Sequence, residues 1–241
     1  MSIVEFMQEI VHNKNILVKS LCKIVSSSGN EPPALLNNYD SYVKMHELSI
    51  ESFTKNLHGS WELVEFKIDQ ENILVYFKNL LIFIKELWHQ NYPCNILYAD
   101  ADTLNWKPLN IFGAFTDFRI FTDNDFPKPG DYFNGGVKYY PSTLTANFWE
   151  QIDIILNNWN FDIWDYEQAS QVNLMLDQSN FDAIKSQDWV VRQIGFNHKR
   201  LVEEVNSLAS IKQVILHFHS SQNPQFRLLC MKEIWDKVKN D

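Results

Sequence analysis

Cysteine is scarce: Cys22, Cys94 and Cys230 are the three in 241 residues. They are far apart, odd in number and set among apolar neighbours, which excludes a disulfide framework or a cysteine-based zinc site and reads as reduced packing side chains. Basic residues are in deficit as well. With 21 Lys and Arg against 30 Asp and Glu, the formal charge is −9, which excludes a general nucleic-acid binder, because counterion release from phosphates needs clustered cations. Long hydrophobic runs are missing too. The most apolar stretch, Leu80 to Ile84, is bracketed by Lys78 and by Lys85 with Glu86, far short of the ~20 residues that cross a bilayer. There is no Asn-X-Ser/Thr acceptor, internal repeat, low-complexity tract or P-loop signature. Ser2 and Glu5 stand in capping-box spacing ahead of Phe6, Met7, Ile10 and Val11 on one helical stripe, so the first dozen residues read as a surface helix and not a signal peptide. These absences together point to a cytoplasmic protein.

What is present is a chain 45% hydrophobic and 14% aromatic, enough for one large α/β domain. Asn15 to Val25 is a β-rich run ending in Ser26-Ser27-Ser28-Gly29. After the Pro32-Pro33 break, Tyr39, Val43, Ile50, Phe53 and Leu57 mark one helical face, closed by His58-Gly59-Ser60. Trp61 to Phe66 reads as a short strand, Ile73 to Trp88 as a helix, and Cys94 to Tyr98 as a strand. This β-α-β-α-β order predicts a parallel sheet with right-handed crossovers. Further on come a strand over Arg119 to Thr122 and a Tyr132-to-Val137 segment whose Gly135 and Gly136 signal a close backbone approach. A helix capped by Ser142 and running to Leu156, another capped by Asp165, a strand over Val214 to Phe218 and a helix from Phe226 complete the reading.

The strand over Cys94 to Tyr98 stops at Asp100-Ala101-Asp102-Thr103. An i, i+2 spacing in a strand puts both carboxylates on one face. Two such charges roughly 5 Å apart repel by about 3 kcal/mol at an effective dielectric near 20, and a divalent cation between them removes that cost. Carboxylate oxygens are the ligands Mg²⁺ and Mn²⁺ prefer, and those ions share their other positions with water and substrate phosphates. The pair also lies beyond the carboxyl end of its strand, where open α/β sheets bind ligands.

Four segments in order, Asp100-X-Asp102, Phe133-Asn134-Gly135-Gly136-Val137, Trp164-Asp165-Tyr166-Glu167-Gln168 with Asn173 downstream, and His217-Phe218-His219, resemble nucleotide-sugar glycosyltransferases of the GT-A fold, nearest to glycosyltransferase family 8. The resemblance spans roughly Asn15 to Pro224 and implies a single α/β domain of the GT-A, Rossmann-like fold over 1–241, with a mostly parallel central sheet flanked by helices. In it a nucleotide-binding half covers about 15–104, a sugar and acceptor half about 105–224, and a C-terminal helix 225–241. It implies that Asp100 and Asp102 hold Mn²⁺ or Mg²⁺ with His217 as a further ligand, and that Asn134, Gly135 and Gly136 line the sugar pocket. Ser26 lies in a loop with phosphate- or base-contacting potential. Glu167-Gln168 stands where the family has Asp-Gln facing the donor sugar, with Asp165 at the start of that helix. The implied partners are a nucleotide-sugar donor, a UDP-sugar by family expectation, and a glycan or other hydroxyl acceptor, with retention of configuration and Gln168 near the reacting centre. The chain departs from the family in two places: Glu167 replaces an aspartate, and His217-Phe218-His219-Ser220-Ser221-Gln222-Asn223-Pro224 lacks the glycine and diphosphate-contacting lysine that usually follow the histidine.

Simpler readings stand beside these. Asp is common at strand ends and in turns; Asp165 and Gln168 have capping-box spacing; His217 fits an apolar core, and His219 lies two residues on along the same strand face as an alternative ligand. Trp149, Trp159, Phe161 and Trp164 read as core and helix packing. Leu229, Ile234, Trp235 and Val238 with nearby lysines form a face suited to an anionic membrane, but Glu233, Asp236 and Asp241 favour ordinary packing. Asp-X-Asp-X-Thr after an apolar strand also describes a haloacid-dehalogenase-type phosphatase, with Asp100 as nucleophile and Asp102 as general acid and base. A catalytically silent nucleotide- or sugar-binding module on the same fold is the third reading.

Overall fold

The computed structural model describes residues 13–24, 38–70, 72–121, 136–161, 170, 190–194, 211–218 and 223–240. The strands are β1 (Lys14–Ile24), β2 (Glu62–Gln70), β3 (Cys94–Ala99), β4 (Thr103–Asn105), β5 (Arg119–Ile120), β6 (Val137–Tyr140), β7 (Val191–Ile194) and β8 (Ile215–Phe218). The helices are α1 (Tyr39–Asn56), α2 (Ile73–Gln90), α3 (Ala146–Asn157) and α4 (Pro224–Val238). Five strands form a sheet in the order β2-β1-β3-β6-β5. β1 pairs in parallel with β2 and β3, whereas β6 runs antiparallel to β3 and β5. Four strands therefore point one way and only β6 is reversed, which is the mostly parallel, helix-flanked α/β sheet that the sequence predicts.

β1 carries the near-continuous apolar run expected of a strand covered on both faces. Its alternate residues separate the two layers. Ile16 and Val18 join the core that contains α2 and α3, whereas Leu17 joins the core beside α1, and Lys19 reaches Ser49 of α1. α2 presents Ile73, Leu74, Leu80, Leu81, Ile84 and Trp88 to the sheet, and the Asn72 side chain caps it by accepting from the Leu74 amide. From β1 the chain goes outward to β2 and then returns past β1 to β3, so the topological switch lies between β1 and β3. In open α/β sheets that crevice, at the strands' carboxyl ends, is where ligands bind.

A second, three-stranded sheet has the order β4-β8-β7. Its edge strand β4 gains its missing partners from one face of α1: the Asn105 amide donates to Ser52 Oγ at 3.0 Å, and Asn56 Nδ2 donates to the Asn105 carbonyl at 2.7 Å. α4 covers this sheet with Cys230, Met231, Ile234 and Trp235. Ile234 and Trp235 are therefore core residues, while Leu229 is exposed, and the apolar face suited to a membrane is split. No helix among the described residues is long and apolar enough to cross a membrane.

Several local expectations change. β2 extends to Gln70, because its register with β1 continues to Ile24. β4 and β7, both short, were not expected at all. Ser142 does not cap the helix to Leu156; α3 begins at Ala146 with Thr145 at the cap position, while the Ser142 amide donates to Asn95 Oδ1 at 2.9 Å and ties the amino end of β3 to the end of β6. Trp149 and Trp159 are buried as expected, but Phe161 is 46% exposed. The segments holding Ser2, Glu5 and Asp165 and the Trp164 side chain lie outside the described residues.

Candidate metal centre

β3 ends at Ala99, and Asp100 to Thr103 make a turn closed by the Thr103 amide on the Asp100 carbonyl at 3.3 Å. Asp100 and Asp102 therefore do not sit on one strand face; the turn, and not the two-residue strand period, brings them together. Leaving the turn, the chain enters β4, where Thr103 lies opposite His217 of β8 and the Phe218 amide donates to the Asp102 carbonyl at 2.9 Å. That register delivers the imidazole to the carboxylates. His217 Nε2 is 3.3 Å from Asp102 Oδ1 and 3.9 Å from Asp100 Oδ2. One donor atom from each residue falls within 4.8 Å of the other two, a group that could hold a metal ion.

The turn is braced from both sides of the main sheet. On the α1 side, Lys19 Nζ donates to the Asp100 carbonyl at 2.6 Å, to Ser49 Oγ at 2.5 Å and to Thr103 Oγ1 at 3.0 Å. Burying an ammonium costs several kcal/mol unless it is fully hydrogen-bonded, and three acceptors answer that demand. Burial still pulls the Lys19 pKa down to about 7, against the upward pull of Asp100 and Asp102. On the α2 side, the Tyr98 hydroxyl donates to Asp100 Oδ1, and it is joined by hydrogen bonds to Ser20 and through Ser20 to Tyr76.

The two carboxylates have opposite electrostatic surroundings. Burial and the neighbouring Asp102 charge raise Asp100 to about 6. Burial also opposes ionisation of Asp102, but His217 and the Arg227 guanidinium outweigh it and hold that carboxyl down to about 2. Arg227 Nη1 lies 2.5 Å from Asp102 Oδ2. The Asp102 side chain is 13% exposed and that of Asp100 31%, so Asp102 forms the floor of the site and Asp100 its accessible edge.

Gly136 belongs here for a packing reason. Its carbonyl accepts from the Asp100 amide at 2.8 Å. A Cβ at Gly136 would stand 2.7 Å from both ring nitrogens of His217, closer than real contacts allow, so a residue without a side chain is what lets the imidazole reach the carboxylates.

Of the residues singled out in the sequence, the structure brings together Asp100, Asp102, His217 and Gly136. Ser26, Asn134, Gly135, Asp165, Glu167, Gln168 and His219 lie outside the described residues. Lys19, Tyr98 and Arg227 were missed. Lys19 had a signal, a lysine within an apolar strand run. So did Arg227, which precedes Met231 and Trp235 at helical spacing on the stripe that α4 buries.

The donor set suits a divalent ion on chemical grounds. Two carboxylates and an imidazole suit a hard or borderline divalent ion better than a thiolate-seeking one.

No protein-family model and no curated protein matches the chain. Among solved structures it is similar to a glycosyltransferase involved in the glycosylation of the major capsid of PBCV-1, at 14% identity and a TM-score of 0.52, over 91% of this chain and 98% of that one. It is also similar to the glycosyltransferase GlyE of Streptococcus pneumoniae TIGR4. The apo form gives 15% identity and a TM-score of 0.46, and a second structure gives 14% and 0.48. Each covers 95% of this chain, which spans 63% of the GlyE chain. The likeness to the first of these, across nearly the whole of both chains, gives this protein the fold of a glycosyltransferase.

Proposed function

We propose that the protein is a metal-dependent glycosyltransferase, moving a hexosyl unit from a nucleoside diphosphate donor, a UDP-sugar, to an acceptor hydroxyl on a glycan. The observation that carries this reading is the convergence of Asp100, Asp102 and His217 at the carboxyl end of β3, beside the switch point of the sheet. Fold and donor set agree there.

The leaving group sets the chemical requirement. A nucleoside diphosphate gains negative charge as the bond from sugar to phosphate breaks, and a bound Mn²⁺ or Mg²⁺ supplies Lewis-acid stabilisation of that charge. Asp100, Asp102 and His217 would hold the ion. Lys19, Tyr98 and Arg227 brace the turn and its carboxylates, and Asp100, the more exposed of the two, is the side from which a diphosphate would reach the ion. We assign the nucleotide to the half over about 15–104, including Ser26, and the sugar and acceptor to about 105–224, with Asn134, Gly135 and Gly136 against the sugar. Gln168, with Glu167 and Asp165 beside it in sequence, is assigned to the reacting centre with retention of configuration, and His219 is the alternative to His217 as ligand. The chemistry left to these residues is positioning of the anomeric carbon against the acceptor oxygen.

The test is a panel of nucleotide sugars incubated with Mn²⁺ and assayed for nucleotide release, alongside melting with Mn²⁺ and nucleoside diphosphates. Binding at a hundredfold excess over the dissociation constant should stabilise the chain by about 2.7 kcal/mol. Hydrolysis of an aryl phosphate through an aspartyl-phosphate at Asp100 would replace this reading with the phosphatase. Binding without turnover of any donor would replace it with the silent module.

A further inference from the structure

Each carboxylate of the centre has one oxygen committed elsewhere. Asp100 Oδ1 accepts from the Tyr98 hydroxyl, and Asp102 Oδ2 accepts from Arg227 Nη1 at 2.5 Å. The remaining oxygens, Asp100 Oδ2 and Asp102 Oδ1, are the two that face His217 Nε2. We propose that Tyr98 and Arg227 are positioning residues that make each aspartate offer a single oxygen, so that the centre selects a small octahedral ion such as Mn²⁺ and rejects Ca²⁺. This rests on the metal-centre reading above and goes beyond it, because that reading gives no residue outside the ligand set the task of excluding an ion of higher coordination number.

The two clamps are anchored independently of the carboxylates. Arg227 is 1% exposed; its Nη1 also reaches the Phe218 carbonyl at 3.3 Å, and its Nη2 donates to the Tyr42 hydroxyl at 2.6 Å. Its guanidinium carbon lies 5.2 Å from the centroid of the Tyr42 ring, and its Nε has no hydrogen-bond partner among the described residues. β8, α1 and the Asp-X-Asp turn thus share one planar fork, a task to which lysine's single ammonium is unsuited. Tyr98 is held at its hydroxyl by Ser20 at 3.0 Å, and Ser20 in turn accepts from Tyr76 at 2.5 Å. Neither clamp can swing away without breaking contacts outside the centre.

The consequence follows from coordination chemistry. Ca²⁺ takes 6–8 oxygens in loose geometry and commonly binds carboxylates through both oxygens, whereas Mg²⁺ and ions of its kind require near-octahedral single-oxygen ligation. Two single oxygens and one imidazole make three donors, leaving the other positions of an octahedral ion for water and phosphate. The imidazole adds a further preference for Mn²⁺ over Ca²⁺.

The experiment titrates the full chain, without substrate, with Mn²⁺ followed by electron paramagnetic resonance and with Ca²⁺ by competition. The variants are Tyr98→Phe and Arg227→Lys. Tyr98→Phe keeps the ring and removes the clamp on Asp100; Arg227→Lys keeps a cation beside Asp102 and removes the fork. The expected result is a fall of about tenfold or more in the Mn²⁺-over-Ca²⁺ affinity ratio in each, with melting curves that show a folded chain. A ratio unchanged in both variants, or Mn²⁺ and Ca²⁺ affinities that fall together, overturns the inference. If Arg227→Lys does not fold, Tyr98→Phe decides alone. A wild-type chain that binds neither ion sinks the metal-centre reading itself, whereas a wild-type chain that binds Mn²⁺ with an unmoved ratio in the variants sinks only the role of the clamps.

Discussion

The two faces of the main sheet were built for different ends. Under α2 and α3 the packing is hydrocarbon and aromatic: Trp149 stacks on Tyr140 at 6.1 Å and 12° and meets Trp88 at 5.2 Å, with Ile84, Phe148 and Ile152 around them. Under α1, and on to α4, the protein buries Lys19, His46, Ser49, Ser52, Asn56, Thr103, His217 and Arg227. Polar groups on the first face include the string Tyr76, Ser20 and Tyr98, which ends on Asp100, and Lys138, whose Nζ lies 5.5 Å from the centroid of the Tyr98 ring. Apolar burial stabilises without direction, whereas satisfied polar networks fix orientation at a high desolvation cost. The difference teaches that aromatic packing and site geometry are largely separate here: Lys19, His217 and Arg227 surround the carboxylates from the α1 and α4 side, and from the aromatic side the Tyr98 string reaches Asp100.

If that separation holds, Trp149→Ala should destabilise the chain most, by about 3–5 kcal/mol from lost packing, as read by denaturant unfolding. The Mn²⁺ affinity of the folded variant should stay at the wild-type value; a parallel loss would mean that the two faces are coupled. Asp102→Ala should do the reverse. We expect nucleotide release from the productive donor to fall about a thousandfold, equivalent to ~4 kcal/mol of transition-state stabilisation, and the Mn²⁺-induced rise in melting temperature to disappear. Full activity in that variant would remove Asp102 from the centre.

Gly136→Ala sharpens the comparison, since it adds one methyl group to the polar side. The His217 ring has to yield, and Mn²⁺ affinity should fall by about ten- to a hundredfold, measured by the same titration; an unmoved affinity would show that the ring has room. The smallest effect concerns pH. Asp100 ionises near pH 6 in the folded chain against an ordinary value of 3.8, so a proton competes with the ion, and Mn²⁺ affinity should drop about tenfold between pH 7 and pH 5. The sign for the metal-free chain is opposite. A carboxyl whose pKa is raised on folding destabilises above its folded value, so this group's contribution to stability improves as pH falls from 6 toward 3.8. Metal affinity flat across that range would show that Asp100 is not a ligand.

Much of this was legible in the chain itself. Period-3.6 and apolar-run patterns located β1, α1, β2, α2 and β3 within a few residues, because these elements bury continuous stripes whose spacing is local. Asp-X-Asp at the end of an apolar strand and His217 at the end of another marked the centre. The short strands β4 and β7 were harder, since strands of three or four residues carry too few alternations to register. Ser142 misled because its side-chain oxygen accepts from Asn13 Nδ2 at 2.8 Å and not from a helix amide.

Sequence alone determined that Asp100 and Asp102 are candidate cation ligands beyond a strand end, with His217 or His219 as a further one, because ligand chemistry and apolar periodicity are properties of the chain. Tertiary structure decided the rest. That Thr103 lies opposite His217, that Gly136 leaves room for its ring, and that Lys19, Tyr98 and Arg227 converge on two aspartates from three separate elements all depend on strand register and helix placement. Those contacts join residues up to 125 positions apart, and no local pattern encodes a distance of that kind.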